Sequence, residues 1–413
     1  MNRYLLAGCA AVALAMGSGA ANAQTKFEVK VGGDVFWEMG YVDQDRDAGL
    51  RSTDMRNRFR FNLIPSAKAD NGLEYGARLR VRADNSNSAG RTLTQDRSYI
   101  FAQGGFGQVR LGTTNTFNDE TIVSRPIDYL PFGLFDQAVS YIGGAQAMGA
   151  AGLPANAGAD VGASNLTSLA SGSMVWPSFG DVATRVVYFS PRIAGFQLGA
   201  SYTPRNDDST NSVNRLKSAS PSAASFNNPA GAYQPNMQDL WEVGANYDAT
   251  FGAVKVKAGA GYYGGQAADV AGASYKDLRA WQAGAQVGFA GFTVGGSYTD
   301  WGKSGLTKAS TLAGLPVSRD NANVWQVGAQ YTVGPIVVGA GWMRGTDSGS
   351  LVVAGKRKLE VYEIGASYTV APGFAVQAQY DYFKSESDLP ATLASGDRDD
   401  KGSIVILRTT LAF

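Results

Sequence analysis

The sequence predicts an all-β protein: a transmembrane antiparallel β-barrel of about 16 strands with short periplasmic turns and long extracellular loops. Three features lead to this prediction: an export signal at the N-terminus, a series of segments that alternate apolar and polar residues, and a last strand that ends on the aromatic Phe413. Because successive side chains of a strand point to opposite faces, one face can meet lipid while the other lines water.

The first 23 residues have the three parts of an export signal. Arg3 supplies the charged start, residues 4–16 form a short apolar run, and Ala21-Asn22-Ala23 is a small-residue cleavage site. We therefore expect cleavage between Ala23 and Gln24. The run Leu6-Ala7-Gly8-Cys9 is similar to a lipoprotein cleavage box, but the apolar run continues past Cys9, so an ordinary apolar signal residue is the favoured interpretation.

Removal of 23 of the 413 residues leaves 390, residues 24–413, as one barrel domain without cysteine or histidine. Thiol nucleophiles, Ser-His pairs and His-bearing metal sites are thereby excluded. Without Arg3 the 36 Lys and Arg residues become 35 and balance the 35 Asp and Glu residues, which argues against attraction to nucleic acid. We expect no enzyme, no metal site and no cofactor.

No apolar stretch of the mature chain approaches the roughly 20 residues that a membrane-spanning helix needs, so the strand pattern has to distinguish a soluble β protein from a membrane barrel. A repeat of about 40 residues begins at Trp241, Trp281, Trp325 and Tyr362. In each copy the odd positions are aromatic or aliphatic, while the even positions are Glu, Gln, Asn, Ser or Gly.

A propeller or solenoid also repeats at such a period. Burying the even face in a dry core would leave many unpaired polar groups, at roughly 1 to 3 kcal/mol each, so we expect water on that face. The three tryptophans then lie on the lipid face as girdle residues rather than as a sugar-stacking track. Ten tilted residues rise about 25 Å, the height of an outer-membrane apolar band.

The elements follow from this alternation in chain order. Short connections at 104–106, 290–291, 334–335 and 371–373 fall on one rim and longer polar ones on the other, as periplasmic turns and extracellular loops do. An even strand number places both termini on one side. The predicted strands cover residues 27–41, 55–64, 73–81, 96–103, 108–112, 184–190, 196–203, 240–249, 254–262, 280–289, 292–300, 324–331, 336–343, 359–370, 374–383 and 403–413.

Arginines alternate with apolar residues on the second and third predicted strands, and Arg110 lies between Val109 and Leu111. An arginine that faces lipid near the midplane costs roughly 2 to 4 kcal/mol, so we expect these side chains to face the lumen. The predicted basic wall of the pore consists of Arg56, Arg58, Arg60, Arg78, Arg80, Arg82 and Arg110.

Like charges on neighbouring strands repel one another, and guanidinium groups keep their proton. The basic wall therefore needs acidic partners, and Glu74 is the only evident acid on the third strand. A long insertion follows the fifth strand, over about residues 113–181; a loop of that size is usually functional or disordered. Its acids are the candidate partners: Asp119, Glu120, Asp128 and Asp136.

The segment DRSYIFAQGGFGQVRLG, residues 96–112, resembles the stretch that leads into the third loop of the general diffusion porins of Gram-negative outer membranes, and Phe413 matches their terminal residue. The resemblance covers residues 26–413. It implies a homotrimer, a third loop folded into the pore with its carboxylates facing the arginines, and Phe413 as a signal to the barrel assembly machinery. The Gly- and Ala-rich part of the insertion, residues 143–172, departs from the compact third loop of this family.

The predicted function is a passive, water-filled outer-membrane channel for small hydrophilic solutes and ions, filtered by size and by a transverse charge field. Three alternatives remain: a substrate-selective, anion-preferring channel with a binding site on the arginines, a barrel enzyme that uses carboxylates or Lys, and a surface adhesin. The arginines could also form ion pairs that only stabilise the wall.

The expected partners are outer-membrane lipid, lipopolysaccharide, and small polar solutes and ions. Acidic residues of the first and last loops could bind divalent cations alongside lipopolysaccharide, but solvated loop charge is the favoured interpretation. These residues are Asp43, Asp45, Asp47, Asp388, Asp397, Asp399 and Asp400.

Overall fold

The structure is a computed structural model that describes residues 26–45, 50–84, 92–123, 141–142, 183–205, 213, 215, 237–267, 274–305, 308, 321–347, 356–387 and 399–413. The predicted signal sequence and its cleavage site, Ala23 and Gln24, lie outside the described residues and remain predictions. In the ranges given, no helix is both long enough and apolar enough to cross a membrane.

The described residues form sixteen strands and one short helix. In chain order these are β1 (Glu28–Gln44), β2 (Thr53–Lys68), β3 (Glu74–Asp84), β4 (Thr92–Gly104), β5 (Gly107–Thr113), α1 (Phe117–Thr121), β6 (Thr184–Phe189), β7 (Phe196–Arg205), β8 (Met237–Phe251), β9 (Val254–Ala267), β10 (Leu278–Phe289), β11 (Phe292–Gly302), β12 (Ala322–Val333), β13 (Ile336–Asp347), β14 (Arg357–Ala371), β15 (Phe374–Ser387) and β16 (Asp400–Ala412).

Each strand pairs with its neighbours in sequence, and β1 pairs antiparallel with β16, which closes the barrel. The seam continues into the last residue, because Gly33 N donates to Phe413 O at 2.8 Å and Phe413 N donates to Gly33 O at 3.1 Å. The predicted closed barrel of sixteen strands is confirmed. Several strands extend past their predicted ends at the loop side, because backbone pairing continues after the apolar alternation stops.

Short turns connect the strands at one rim, which we call the turn rim; the longer connections lie at the loop rim. Ala290 and Gly291 join β10 to β11 with φ values of 49° and 84°. Two consecutive positive φ values are the mark of a turn whose twist matches that of the flanking strands. The predicted short connections after β4, β10, β12 and β14 are all present.

The outer face of the barrel is apolar and rich in aromatic residues. Trp241, Trp281, Trp325 and Tyr362 are 44%, 43%, 51% and 47% exposed, so the repeated aromatic position lies on the outside as predicted. Between the outward residues of β8, Glu242 is 6% exposed and faces inward. The alternation in the sequence therefore corresponds to an outer lipid face and an inner face.

The inner face is not polar throughout, and the expectation that water lines all of it is wrong near the loop rim. There, inward side chains of β8–β16 pack into an apolar layer with each member at most 4% exposed. A bulge in β8 at Asp239, where φ is 48°, contributes by turning both Met237 and Leu240 inward. The layer comprises Ile142, Met237, Leu240, Tyr263, Leu278, Ala280, Trp301, Ala322, Val324, Met343, Leu359, Val361, Phe383, Ile404 and Ile406.

The assignment of the two faces predicts unequal effects of a new charge on one strand. Val327 of β12 is 47% exposed on the outer face. We expect Val327→Arg to lower the free energy of unfolding by roughly 2 to 4 kcal/mol, because the charge enters hydrocarbon. Gln330→Arg, on the inner face of β12, is the matched control and should cost far less. Urea unfolding in lipid vesicles measures both, and equal losses would contradict the assignment.

Candidate functional site

The structure places the predicted basic wall on the inner face of β2, β3 and β5. The side chains of Arg58, Arg80 and Arg110 are 15%, 14% and 13% exposed, whereas the alternating Met55 and Phe59 are 56% and 40% exposed on the outside. We call the seven arginines Arg56, Arg58, Arg60, Arg78, Arg80, Arg82 and Arg110 the arginine wall.

Acids of β1 pair with the arginines of β2, and the sequence had pointed only to Glu74 of the third strand. Asp34 lies directly opposite Arg60 and accepts from Arg60 Nε at 2.9 Å and from Arg58 Nη2 at 3.1 Å. Glu38 lies opposite both Arg56 and Arg408 and accepts from each of them. Opposite charges at facing positions of a sheet stabilise the pairing.

Asp96 supplies the second set of ion pairs, and a bulge directs it inward. In the β3–β4 ladder Arg80 pairs with Arg97 and Val81 with Gln95, so Asp96 is the extra residue of a β-bulge. Its carboxylate accepts from Arg80 Nε at 2.6 Å and from Arg80 Nη2 at 2.8 Å. Bulges re-aim a side chain in this way. Strict alternation would have turned Asp96 outward, which is why the sequence did not reveal it.

The ring of Phe36 packs against three arginines at the barrel seam. The guanidinium carbons of Arg58, Arg56 and Arg408 lie 5.0, 5.7 and 4.5 Å from the centroid of its ring. Cations over an aromatic face are attracted by its quadrupole, by about 0.5 to 2 kcal/mol each. This contact offsets part of the repulsion between the like charges. Phe36 occupies an inward position of β1 that the sequence analysis did not single out.

Arg78 and Arg110 differ in their partners. Arg78 donates from Nε and Nη2 to the neutral amide oxygen of Asn62, at 3.0 and 2.8 Å, and in the described part of the chain it has no carboxylate partner. Arg110 Nη1 donates to Glu120 Oε1 at 2.7 Å. Arg110 therefore joins the wall to the long insertion, whereas the partner of Arg78 among the described residues is a neutral amide.

Of the two predicted loop acids that the structure describes, Glu120 contacts the arginine wall. Asp119 lies beside Glu120 in α1. Its backbone amide donates to Thr116 Oγ1 at 3.1 Å, so Thr116 caps the N-terminus of the helix. Asp128 and Asp136 lie outside the described residues, so their predicted positions opposite the arginines remain predictions. Glu74, the acid noted on the third strand, accepts from Gln103 Nε2 at 2.8 Å.

The described parts of the insertion lie against the inner face of the barrel. Phe117 packs with Val187 and Phe189, and Ile142 belongs to the apolar layer. Arg56 lies over the ring of Tyr141 at 5.6 Å. Burial, together with the neighbouring Glu38 carboxylate, raises the pKa of Tyr141, so its phenol is neutral at physiological pH.

The chain matches the family model of the Gram-negative porins over residues 10–388. It belongs to the Gram-negative porin family. The barrel is also similar to solved outer-membrane proteins, which shows the fold. A loop L8 deletion mutant of OmpT from Vibrio cholerae is 14% identical, with 94% of this chain and 99% of that one covered and a TM-score of 0.54. A mutant of the Rh. blastica porin is 17% identical over 94% and 100% of the two chains, with a TM-score of 0.51.

Among curated sequences, an uncharacterized protein of Rickettsia conorii is 23% identical over 427 residues, which cover 94% of this porin and 93% of the relative. Family and fold together place this porin in the outer membrane and support a diffusion channel. The turn rim then corresponds to the periplasmic side and the loop rim to the extracellular side.

Sequence reasoning missed several charged residues of this porin. Arg97 and Arg408 extend the arginine wall onto β4 and β16, and both are buried, at 3% and 2% exposure. Each lies on an inward position of its strand, so alternation alone could have found them. Phe413 lies at the seam, and its predicted signal function remains a prediction. Among the described residues, no cluster of Cys, Asp or Glu side chains could hold a metal ion.

The pairing of Glu38 with two arginines predicts a large effect of its removal. Its side chain is 0% exposed and that of Arg408 is 1% exposed. Removing one partner of a buried ion pair costs about 3 to 5 kcal/mol, because the other charge stays buried. We expect a loss of this order in the unfolding free energy of Glu38→Gln, measured by urea titration in vesicles.

The control for Glu38→Gln is Asp54→Asn, which breaks the surface pair of Arg51 and Asp54, 82% and 69% exposed. Exposed pairs contribute at most about 1 kcal/mol. Equal stabilities of the two variants would show that Glu38 does not anchor the seam.

Proposed function

We propose that this porin is a passive, water-filled channel for small hydrophilic solutes and ions, filtered by size and by the charge field of the arginine wall. The observation that carries the proposal is the clustering of arginines on the inner face of β2–β5 within a closed barrel whose outer face is apolar. No step of passage needs an energy source or chemistry.

Among the residues that the structure describes, the arginines on this side of the lumen outnumber the carboxylates paired with them. The described carboxylates that pair with the arginine wall, Arg97 and Arg408 are Asp34, Glu38, Asp96 and Glu120, and they are fewer than the arginines. The opposite strands of the barrel, β10–β12, carry neutral inward residues such as Gln282, Ser297 and Gln326. An asymmetric field therefore crosses the lumen from one wall to the other.

Such a field acts on solutes through the water between the walls. Fixed charges order this water, so an apolar solute has to disrupt it, while small polar solutes and ions exchange hydrogen bonds as they pass. The ion pairs and the filter are compatible, because the pairs hold the guanidinium groups in place while the excess positive charge remains. The wall is thus both a structural and an electrostatic element of the proposal.

A second candidate function is a selective, anion-preferring channel. Arg78 has a neutral partner, and a recess of about 530 Å³ between the wall and α1 is lined by Arg110, Lys68 and Arg192, by the carboxylates of Glu74 and Glu120, and by glutamine side chains. Its three cations outnumber its two carboxylates, and cations beside amide donors suit a small carboxylate or phosphate solute. Saturable flux of such a solute would favour this candidate, whereas flux proportional to concentration favours simple diffusion.

We propose that the protein assembles as a homotrimer and contacts outer-membrane lipid and lipopolysaccharide. An OmpT structure from Vibrio cholerae, 13% identical with a TM-score of 0.54, is described as a trimer form. Contact of the C-terminal strand and Phe413 with the barrel assembly machinery also belongs to this proposal. Chemical crosslinking of the purified protein in detergent tests the trimer.

Planar-bilayer recording on the purified protein tests the channel itself. Large ohmic conductance steps support a pore. If correctly folded protein gave no conductance steps, the proposal would be overturned, and an enzyme or an adhesin would be favoured.

Neutralising two arginines of the wall should change ion selectivity. In water, a unit charge interacts with an ion about 8 Å away by about 0.5 kcal/mol, and salt screens part of this energy. We therefore expect Arg58→Gln with Arg80→Gln to lower the anion-to-cation permeability ratio roughly twofold to fivefold. Reversal potentials in a KCl gradient measure this ratio. An unchanged ratio would show that neither arginine contributes to ion selectivity.

Two controls accompany this measurement. Arg51→Gln removes one positive charge at the loop rim, where the side chain is 82% exposed, and should leave the ratio nearly unchanged. Arg80→Gln with Asp96→Asn removes an ion pair without a change in net charge and should shift the ratio less than Arg80→Gln alone.

A further inference from the structure

The first described part of the long insertion lies flat against the inner face of four consecutive strands. Phe117 N donates to Ser201 Oγ of β7 at 3.0 Å, and Asn118 Nδ2 donates to Val243 O of β8 at 3.4 Å. From there the chain passes Ile122 and Val123 over β9 and β10. Segment 117–123 therefore follows the wall instead of crossing the lumen.

At five positions where this segment lies against β7–β10, the strands carry glycine. The ring of Phe117 lies over Gly199, Asn118 over Gly244, Ile122 over Gly259 and Gly261, and the backbone of Val123 over Gly284. A Cβ at Gly199, Gly244, Gly261 or Gly284 would lie less than 3.0 Å from an atom of the segment, and one at Gly259 would lie 3.1 Å from Ile122 Cα. We call Gly199, Gly244, Gly259, Gly261 and Gly284 the glycine seat.

Glycine inside a strand weakens it and often marks a close approach of another backbone. Gly244 and Gly284 occupy the same position of the repeat, three residues after Trp241 and Trp281, and both meet the segment. Alternation alone assigns this position only to the small and polar face. The structure shows what the missing side chains accommodate.

The other side of the segment faces the lumen. Phe117, Asn118 and Ile122 are buried against the wall at 0%, 2% and 7% exposure, while the side chain of Glu120 is 28% exposed and reaches Arg110. Any displacement of the segment from the wall would move Glu120 away from Arg110 and toward the axis of the barrel.

We propose that the glycine seat determines the size limit of the channel, by letting segment 117–123 lie flush with the wall and by holding Glu120 at Arg110. The inference rests on the proposed channel function and names the residues that set its width. Side chains at these positions would push the segment into the passage, because the strands behind it are held by the closed ladder.

Gly284→Ala is the direct test. The added methyl group would meet the backbone of Val123, so we expect a fall in single-channel conductance and a lower size cut-off for sugars in liposome swelling. Gly288→Ala is the matched control: it lies on the same strand and face, and its Cβ would have neighbours at ordinary distances of 3.6 and 3.7 Å. Resistance to SDS without heating verifies that each variant folds.

The outcome for the control should be a conductance equal to that of the unaltered protein. An unchanged or increased conductance of folded Gly284→Ala would overturn the proposal. Gly261→Ala, on β9, provides a second position if Gly284→Ala does not fold, and the same result is expected for it.

A crosslink tests the seat independently of conductance. The mature chain is expected to lack cysteine, and a Cβ at residue 259 would lie 3.1 Å from Ile122 Cα, so cysteines at the two positions would be direct neighbours. A disulfide places its Cβ atoms roughly 3.5 to 4.5 Å apart, which a small shift of the segment provides. We expect Gly259→Cys with Ile122→Cys to form a disulfide on mild oxidation. Failure to crosslink in folded protein would show that the segment does not rest on the seat.

These two measurements separate the failure of the seat from the failure of the channel. A silent unaltered protein that still crosslinks would refute the proposed function and with it the size limit, while the seat itself stands. A conducting protein that does not crosslink would refute the seat alone.

Discussion

Every backbone N–H and C=O group that crosses a membrane has to find its partner within the protein, and this constraint underlies the whole structure. Sixteen strands meet it by pairing β1 with β16, and the last residue extends the seam through its bonds to Gly33. Closure leaves no unpaired strand edge. It also assigns each alternate side chain to one of two environments, so the arginines of β2 and β3 point inward because the other direction is hydrocarbon.

A row of inward arginines is stable here because its compensation is built into neighbouring strands. Asp34 and Glu38 of β1 face the arginines of β2, the bulged Asp96 reaches Arg80, and Phe36 lies under three guanidinium groups. Buried ion pairs often contribute little net stability, but they fix the positions of the charges. The wall therefore keeps a defined geometry, and among the described residues its arginines outnumber the carboxylates paired with them.

The inner face has zones with different functions, which a uniformly polar lumen would not provide. Near the loop rim, the apolar layer of β8–β16 buries Ile142 and gives the insertion an apolar anchor. Below it, glycines of β7–β10 receive segment 117–123, and the arginines of β2 and β3 lie on the other side of the barrel. The insertion is thus held at two separate points, by hydrophobic packing at Ile142 and by close backbone approach at Gly284.

The sequence by itself determined the strand number, the closed barrel, the aromatic girdle at Trp241, Trp281 and Trp325, and the inward direction of the predicted arginines. Alternation and turn residues are local properties of the chain, and a period of two can be read from consecutive residues. Only the tertiary structure decided which acid meets which arginine. The pairing of Glu38 with both Arg56 and Arg408 joins residues 370 positions apart, and the bulge at Asp96 breaks the alternation that the prediction relied on. The contact between segment 117–123 and the glycine seat likewise depends on how distant parts of the chain fold together. A local sequence pattern contains no information on that contact.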